Sequence, residues 1–80
     1  MLTNSGYRRS ETVMEVGEYA IRGSIIDIFS SNYDYPMRID LFDNKISSIK
    51  MFDPLTQIPF KKVNSIILLP VSELIYSSKA

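Results

Sequence analysis

Segments that otherwise have the composition of β-strands contain charged side chains, among them Arg22, Asp27, Arg38 and Asp40. Asp27 interrupts the apolar, β-branched run Ser24–Phe29, and a lone buried carboxylate beside an arginine is more typical of a structural ion pair than of a catalytic acid. Arg38 and Asp40 are two residues apart and therefore share one face of a strand. The pattern indicates either cross-strand pairing within the chain or a polar recognition surface, and the residues alone favour neither.

The composition gives little support for a catalytic site or a metal site. The 80-residue chain contains no cysteine and no histidine, which removes disulfides, thiolate nucleophiles, the usual zinc ligand sets and imidazole bases. Serine is plentiful but has no histidine to activate it. The three glycines are isolated and form no phosphate-binding loop. We therefore predict that this chain by itself is not an enzyme and holds no cofactor, metal or small-molecule substrate.

Two basic–aromatic clusters suggest nucleic acid as another partner, because such clusters contact phosphates and stack on bases. They are Tyr7-Arg8-Arg9 and Phe60-Lys61-Lys62. The chain as a whole has nine basic and nine acidic residues, and three acids lie close to the arginines in sequence: Glu11, Glu15 and Glu18. Because nearby acids weaken the positive field, solvated surface is the favoured interpretation and direct DNA contact is the alternative.

Short strands are the elements that would position these groups. Alternating polar and apolar residues, or continuous β-branched runs, predict five or six of them. The run Ser24–Phe29 predicts a central strand buried on both faces. The predicted extended segments are Tyr7–Val13, Glu18–Arg22, Ser24–Phe29, Met37–Phe42, Lys45–Phe52 and Ser65–Leu69.

Turns and chain ends complete the predicted architecture. Hairpins are expected to turn at Arg22-Gly23 and at Asp43-Asn44, whose residue types suit tight turns. Leu55–Lys62 is predicted to be a loop or a loose extended segment. Helical segments are expected only at the ends, at Leu2–Ser5 and Ser72–Ala80. The predicted fold class is therefore α+β, a small antiparallel sheet of five or six strands with terminal helical segments, forming a single domain over residues 1–80 that is a fragment of a larger protein.

The composition also bears on where the protein is found. Hydrophobic residues make up 45% of the chain, but no run approaches the roughly 18 apolar residues of a membrane span. Met1–Ser5 lack the basic head and apolar stretch of a signal peptide. Together with the absence of cysteine, this predicts a soluble, cytoplasmic protein with no membrane partner.

Taken in order, these motifs resemble a known family. GYRRSETVMEVGEYAIRGSIIDIF (residues 6–29), PMRIDLFDNKISSIKMFDPLTQ (residues 36–57) and a later LLP are similar to the amino-terminal repair module of bacterial transcription-repair coupling factors. The same module occurs in UvrB, a component of excinuclease ABC, so the domain is UvrB-like. The likeness covers Leu2 to about Glu73. The GEYA and FDN forms are closer to the coupling factors than to UvrB.

The resemblance implies a protein-interaction module that binds UvrA, the partner component of excinuclease ABC, and so recruits nucleotide excision repair to stalled RNA polymerase. Coupling-factor patterns place one binding arginine at Arg8, whereas UvrB patterns place it at Arg9, so both are candidates. A module that is only a spacer, with its arginines paired internally, is the remaining alternative. The partner-binding residues that the resemblance implies are Arg8, Arg9, Arg22, Phe29, Arg38 and Asp40.

Three positions depart from the family pattern. Ala20 stands where UvrB carries a further arginine, Ser30 replaces the family proline, and Lys45 replaces the usual acid after the hairpin turn. The resemblance implies that the intact coupling factor is an ATP-dependent DNA translocase, which uses ATP and Mg and contacts RNA polymerase and DNA. Those translocase motifs do not occur in this sequence, so neither ATP hydrolysis nor movement along DNA is expected of this chain.

Overall fold

A single six-stranded sheet forms the domain in a computed structural model that describes residues 6–68. The strands lie in chain order across the sheet; β1 pairs parallel with β2, and all other neighbours pair antiparallel. The predicted sheet of five or six strands is therefore confirmed, with one parallel pair. Residues 6–68 contain no helix that could span a membrane. The strands are β1 (Arg8–Arg9), β2 (Glu18–Arg22), β3 (Ile25–Ile28), β4 (Met37–Phe42), β5 (Lys45–Phe52) and β6 (Pro59–Val63).

The carboxyl-terminal part of the sheet differs from the prediction. Leu55–Lys62 is predicted to be a loop or a loose extended segment; residues 53–58 form a loop, and the extended part from Pro59 is an ordered edge strand, β6, paired with β5. A proline at the first position suits an edge strand, since it has no N–H to donate. Of the predicted strand Ser65–Leu69, the described residues 65–68 are not a strand. The predicted helical segments, Leu2–Ser5 and Ser72–Ala80, lie outside the described residues.

Residues 65–68 cross the sheet instead of joining it. Ile66 packs against the main hydrophobic cluster. The N–H of Ile67 donates to the Tyr33 hydroxyl at 2.9 Å, and its carbonyl accepts a hydrogen bond from Asn32 Nδ2 at 3.0 Å. Side chains therefore satisfy the backbone groups that a neighbouring strand would otherwise satisfy, which explains why an apolar run here is not a strand.

Two tight turns set the register of the central strands. Gly23 and Ser24 join β2 to β3, so this turn begins one residue later than predicted. Of these two residues only Gly23 has a positive φ, 59°, as in a type II′ turn. Asp43 and Asn44 have φ values of 56° and 65°, as in a type I′ turn, and the predicted second hairpin is confirmed.

Alternation along the strands divides the side chains between two faces of the sheet. One face, here called the core face, carries the larger hydrophobic cluster, whose buried members are Tyr7, Tyr19, Ile28, Met37, Ile39 and Ile49. The opposite face, here called the arginine face, carries Arg22, Asp27, Arg38 and Asp40. A smaller buried cluster covers one end of the arginine face, formed by Val13, Ala20, Phe29 and Phe52.

Two loops enclose that end of the arginine face. The loop that follows β1 places Val13 in the smaller cluster, and the N–H groups of Met14 and Glu15 donate to Glu18 Oε1 at 2.8 and 2.9 Å. The loop between β5 and β6 closes from the other side, where Gln57 Nε2 donates to the Val13 carbonyl at 3.0 Å. These contacts hold the two loops together and leave the opposite end of the face uncovered.

We expect Gly23→Ala to lower the free energy of unfolding by about 1 kcal/mol, because a Cβ makes the left-handed conformation costly. The site is otherwise open, since no heavy atom lies within 4 Å of where that Cβ would be. Gly23→Asn should lose less, because asparagine tolerates this conformation. Urea denaturation followed by circular dichroism measures both. Wild-type stability of Gly23→Ala would contradict a backbone requirement at this turn.

Candidate protein-interaction surface

The carboxylate of Asp27 is the centre of the arginine face. Asp27 is 1% exposed and lies on β3 directly opposite Arg38 on β4. Arg38 Nε donates to Oδ1 at 2.9 Å and Nη2 to Oδ2 at 3.1 Å, and Arg22 Nη2 also donates to Oδ2, at 2.7 Å. A buried carboxylate must be paired and hydrogen-bonded to be tolerated, and two guanidinium groups meet that need here.

Arg38 is anchored on several sides and turned inward. Besides its two bonds to Asp27, its Nη1 donates to the Gln57 carbonyl at 3.2 Å. Its Cζ lies 4.5 Å from the centroid of the Phe52 ring, a favourable cation–π distance. Only 16% of the side chain is exposed. Arg38 therefore joins β3, β4 and the β5–β6 loop, and presents little of itself to a partner.

Arg22 is presented outward. It ends β2 and lies diagonally from Asp27, since its direct partner on β3 is Ile25 and the residue opposite Asp27 is the small Ala20. Its side chain is 51% exposed. Within residues 6–68 its guanidinium makes one hydrogen bond, to Asp27. The other N–H donors of the Arg22 guanidinium make no hydrogen bond within residues 6–68, and the bond to Asp27 holds one end of the group.

Asp40 and Phe29 lie on the same face in different environments. Asp40 is half-buried on β4, and Ile25 is its partner on β3, so Arg22 and Asp40 belong to one row two strand spacings, or about 10 Å, apart. Phe29 is 8% exposed and packs in the smaller cluster beside Val13. Asp40 is therefore partly accessible on this face, whereas Phe29 is packed within its covered end.

The parallel pairing of β1 separates the two candidate arginines near the start of the chain. Arg8 lies opposite Glu18 and shares the arginine face, whereas Arg9 lies opposite Tyr19 and shares the core face. Arg8 Nη2 is 3.5 Å from Glu18 Oε2 and 3.8 Å from Glu15 Oε1. Hydrogen bonds from the Met14 and Glu15 N–H groups, together with the Arg8 charge, lower the pKa of Glu18. The lowered pKa favours the ionised form of Glu18, and its carboxylate pairs with Arg8 at the β1 edge.

The two basic–aromatic clusters do not form one nucleic-acid site. Tyr7-Arg8-Arg9 lies at the β1 edge and Phe60-Lys61-Lys62 at the β6 edge, about 24 Å apart at the usual strand spacing. Tyr7 is 4% exposed, so its ring is not available for stacking on a base. Phe60 packs edge-on against Tyr35, with ring centroids 4.8 Å apart. DNA contact through either cluster separately stays a prediction.

Sequence reasoning missed Gln57 and Lys50 as members of this face. The Gln57 carbonyl holds Arg38, but this depends on a loop conformation with φ of 65° that no local signal announced. Lys50 is the β5 partner of Arg38. Its side-chain direction follows from the alternation of β5, so the signal for Lys50 was present in the sequence.

Truncating the two central arginines should have unequal effects on stability. Arg38→Ala removes the main partner of a buried carboxylate, and we expect it to lower the free energy of unfolding by about 3 kcal/mol. Arg22→Ala removes a half-exposed partner and should cost less than about 1 kcal/mol. Denaturant titration of both variants measures the difference, with Arg38→Lys to separate charge from fork geometry. Equal losses would mean that Asp27 does not depend mainly on Arg38.

Comparisons with known proteins place this chain in a family of repair proteins. The UvrB interaction domain family matches residues 1–74. The transcription-repair-coupling factor of Haemophilus influenzae is 46% identical over 72 residues, and that of Escherichia coli is 43% identical over 72 residues; each match covers 90% of this chain and 6% of the relative. The Bacillus subtilis coupling factor is 42% identical over 74 residues, covering 92% of this chain and 6% of the relative.

The chain thus spans about 6% of the length of the curated relatives it matches. These matches confirm the resemblance drawn from the sequence motifs, including its closeness to the coupling factors. The chain belongs to the UvrB interaction domain family.

Proposed function

We propose that this chain docks UvrA of excinuclease ABC through the arginine face, with Arg22 as the principal contact. The observation that carries the proposal is the contrast between the two arginines on Asp27. Arg38 is 16% exposed and makes three hydrogen bonds, whereas Arg22 is 51% exposed and makes one within the part of the chain that the structure describes. An arginine held in place with unused donors loses little conformational entropy when it binds a carboxylate.

The other residues of the face would have distinct parts in docking. Asp40 would receive a cation of the partner, and Arg8 would extend the contact toward the β1 edge. Two largely buried residues would have an indirect part: Arg38 would hold Asp27 in position, and Phe29 would hold the covered end of the face. This division fits interfaces in which a few central side chains carry most of the binding energy.

In the whole protein, this docking would bring excision repair to RNA polymerase stalled on DNA. For the longer protein, we also propose a translocase activity that depends on ATP and Mg, contacts with RNA polymerase and DNA, and a cytoplasmic location. This chain would contribute the protein–protein contact.

Charge reversal at Arg22 should weaken binding to purified UvrA by roughly 100-fold, because a central arginine that meets a carboxylate contributes about 2 kcal/mol or more. Isothermal titration measures the affinity. Lys61→Glu is the matched control, since Lys61 pairs with Met51 on the core face and carries the same change of charge. Both variants should keep the wild-type circular dichroism spectrum.

Unchanged affinity of a folded Arg22→Glu variant would remove Arg22 from the interface. If the wild-type chain itself does not bind UvrA, the spacer alternative, in which the arginines serve only Asp27, replaces the docking proposal.

Arg8 and Arg9 provide a second comparison within the same interface. We expect Arg8→Ala to weaken UvrA binding by roughly three- to tenfold, because Arg8 shares the face of Arg22, and Arg9→Ala to leave the affinity unchanged. Competition titration against the labelled wild-type chain resolves differences of this size. A larger effect from Arg9 than from Arg8 would place the partner on the core-face side of β1.

A further inference from the structure

A row of basic side chains crosses the arginine face beyond Arg38. Cα pairing places Lys50 on β5 directly opposite Arg38, and Lys62 on β6 directly opposite Lys50. Both lysines are exposed. Within residues 6–68 neither takes part in an ion pair. Lys50 and Lys62, here called the lysine pair, are thus like charges at directly opposite positions on neighbouring strands.

Such a pair is unfavourable for the sheet by itself. Residues directly opposite on neighbouring strands have Cβ atoms about 5 Å apart, and like charges at that distance destabilise the pairing. Asp27 does not neutralise the lysine pair, because its two carboxylate oxygens already accept hydrogen bonds from Arg22 and Arg38. Asp40 lies in the neighbouring row, opposite Ser48. These central rows therefore hold four cations, Arg22, Arg38, Lys50 and Lys62, against two carboxylates, Asp27 and Asp40.

We propose that the lysine pair is a binding site for an acidic protein segment, in which at least two carboxylates lie about 5–6 Å apart. That spacing occurs between residues three or four apart on a helix, and between neighbours on adjacent strands. The segment would continue from the exposed Arg22 side of the face toward β6. The proposal rests on the docking function only for the identity of the protein that supplies the carboxylates.

Charge complementarity favours an acidic protein over nucleic acid. The positive row is short and is bordered by the carboxylate of Asp40. Because β6 is the edge of the sheet, a phosphate backbone extending past the lysine pair would meet no further strand of this row within residues 6–68. A compact acidic segment would use the local excess of cations and avoid the rest of the surface.

Lys62→Glu is a test with two opposite readouts. It replaces the two like charges by a Lys50–glutamate pair, so the thermal midpoint should rise by about 2–4 °C. Affinity for purified UvrA, and for poly-L-glutamate as a model acidic chain, should fall roughly tenfold at low salt. Lys61→Glu carries the same charge change on the core face and should change each affinity by less than about twofold. Anisotropy of the labelled 80-residue chain measures both affinities.

The outcomes separate this proposal from the docking function. If the wild-type chain binds UvrA and Lys62→Glu binds equally well, the lysine pair is not a site, and docking stands. If the chain does not bind UvrA but binds poly-L-glutamate in a Lys62-dependent way, the site stands, and its partner is another acidic protein. Failure to bind either probe, or tighter binding of a single-stranded oligonucleotide than of poly-L-glutamate, overturns the acidic-segment proposal.

Discussion

A buried carboxylate on the third of six strands is the constraint on which the rest of this surface depends. Asp27 is 1% exposed, and burying an ionised group there would cost a large amount of free energy without opposite charges and hydrogen bonds beside it. The compensation comes from β4 through Arg38 and from the end of β2 through Arg22. The same requirement directs two arginine side chains, from the strands on either side of β3, toward one carboxylate.

The unequal burial of the two arginines gives this structural cluster both a largely buried member and an exposed one. The Arg38 guanidinium is engaged in contacts with Asp27, the Gln57 carbonyl and the Phe52 ring, so its role is to hold the face in position. Arg22 completes the pairing from outside and keeps donors for a second carboxylate. Internal pairing and partner recognition, which are competing interpretations of the sequence, are thus compatible in one cluster.

The face also shows why total charge is a poor guide to what a small domain binds. The nine basic and nine acidic residues cancel over the chain, yet the sheet register gathers Lys50 and Lys62 beside Arg38. The carboxylate of Glu18 is drawn to the opposite edge, where Arg8 and two backbone N–H groups hold it. Distribution by strand pairing, which composition does not contain, produces the local excess of positive charge.

Local rules account for the parts of the fold that the sequence predicted. The β4–β5 hairpin followed from Asp43-Asn44, and the shared face of Arg38 and Asp40 from simple alternation, because both depend on neighbours in the chain. The pairing of β6 with β5 did not follow from the sequence, which indicated only a loop or a loose extended segment there. Its side chains are mostly exposed and carry no alternating pattern, and the pairing includes a register shift between Met51 and Phe52.

The sequence by itself determined that the domain is built of hairpins, that Asp27 would be buried and that the family motifs are present. Only the tertiary structure decided that Arg38 points inward and Arg22 outward, and that Arg8 rather than Arg9 shares their face. The reason is physical: alternation specifies which residues share a face of one strand, whereas burial and the relation between strands depend on register and on loops packed from distant positions.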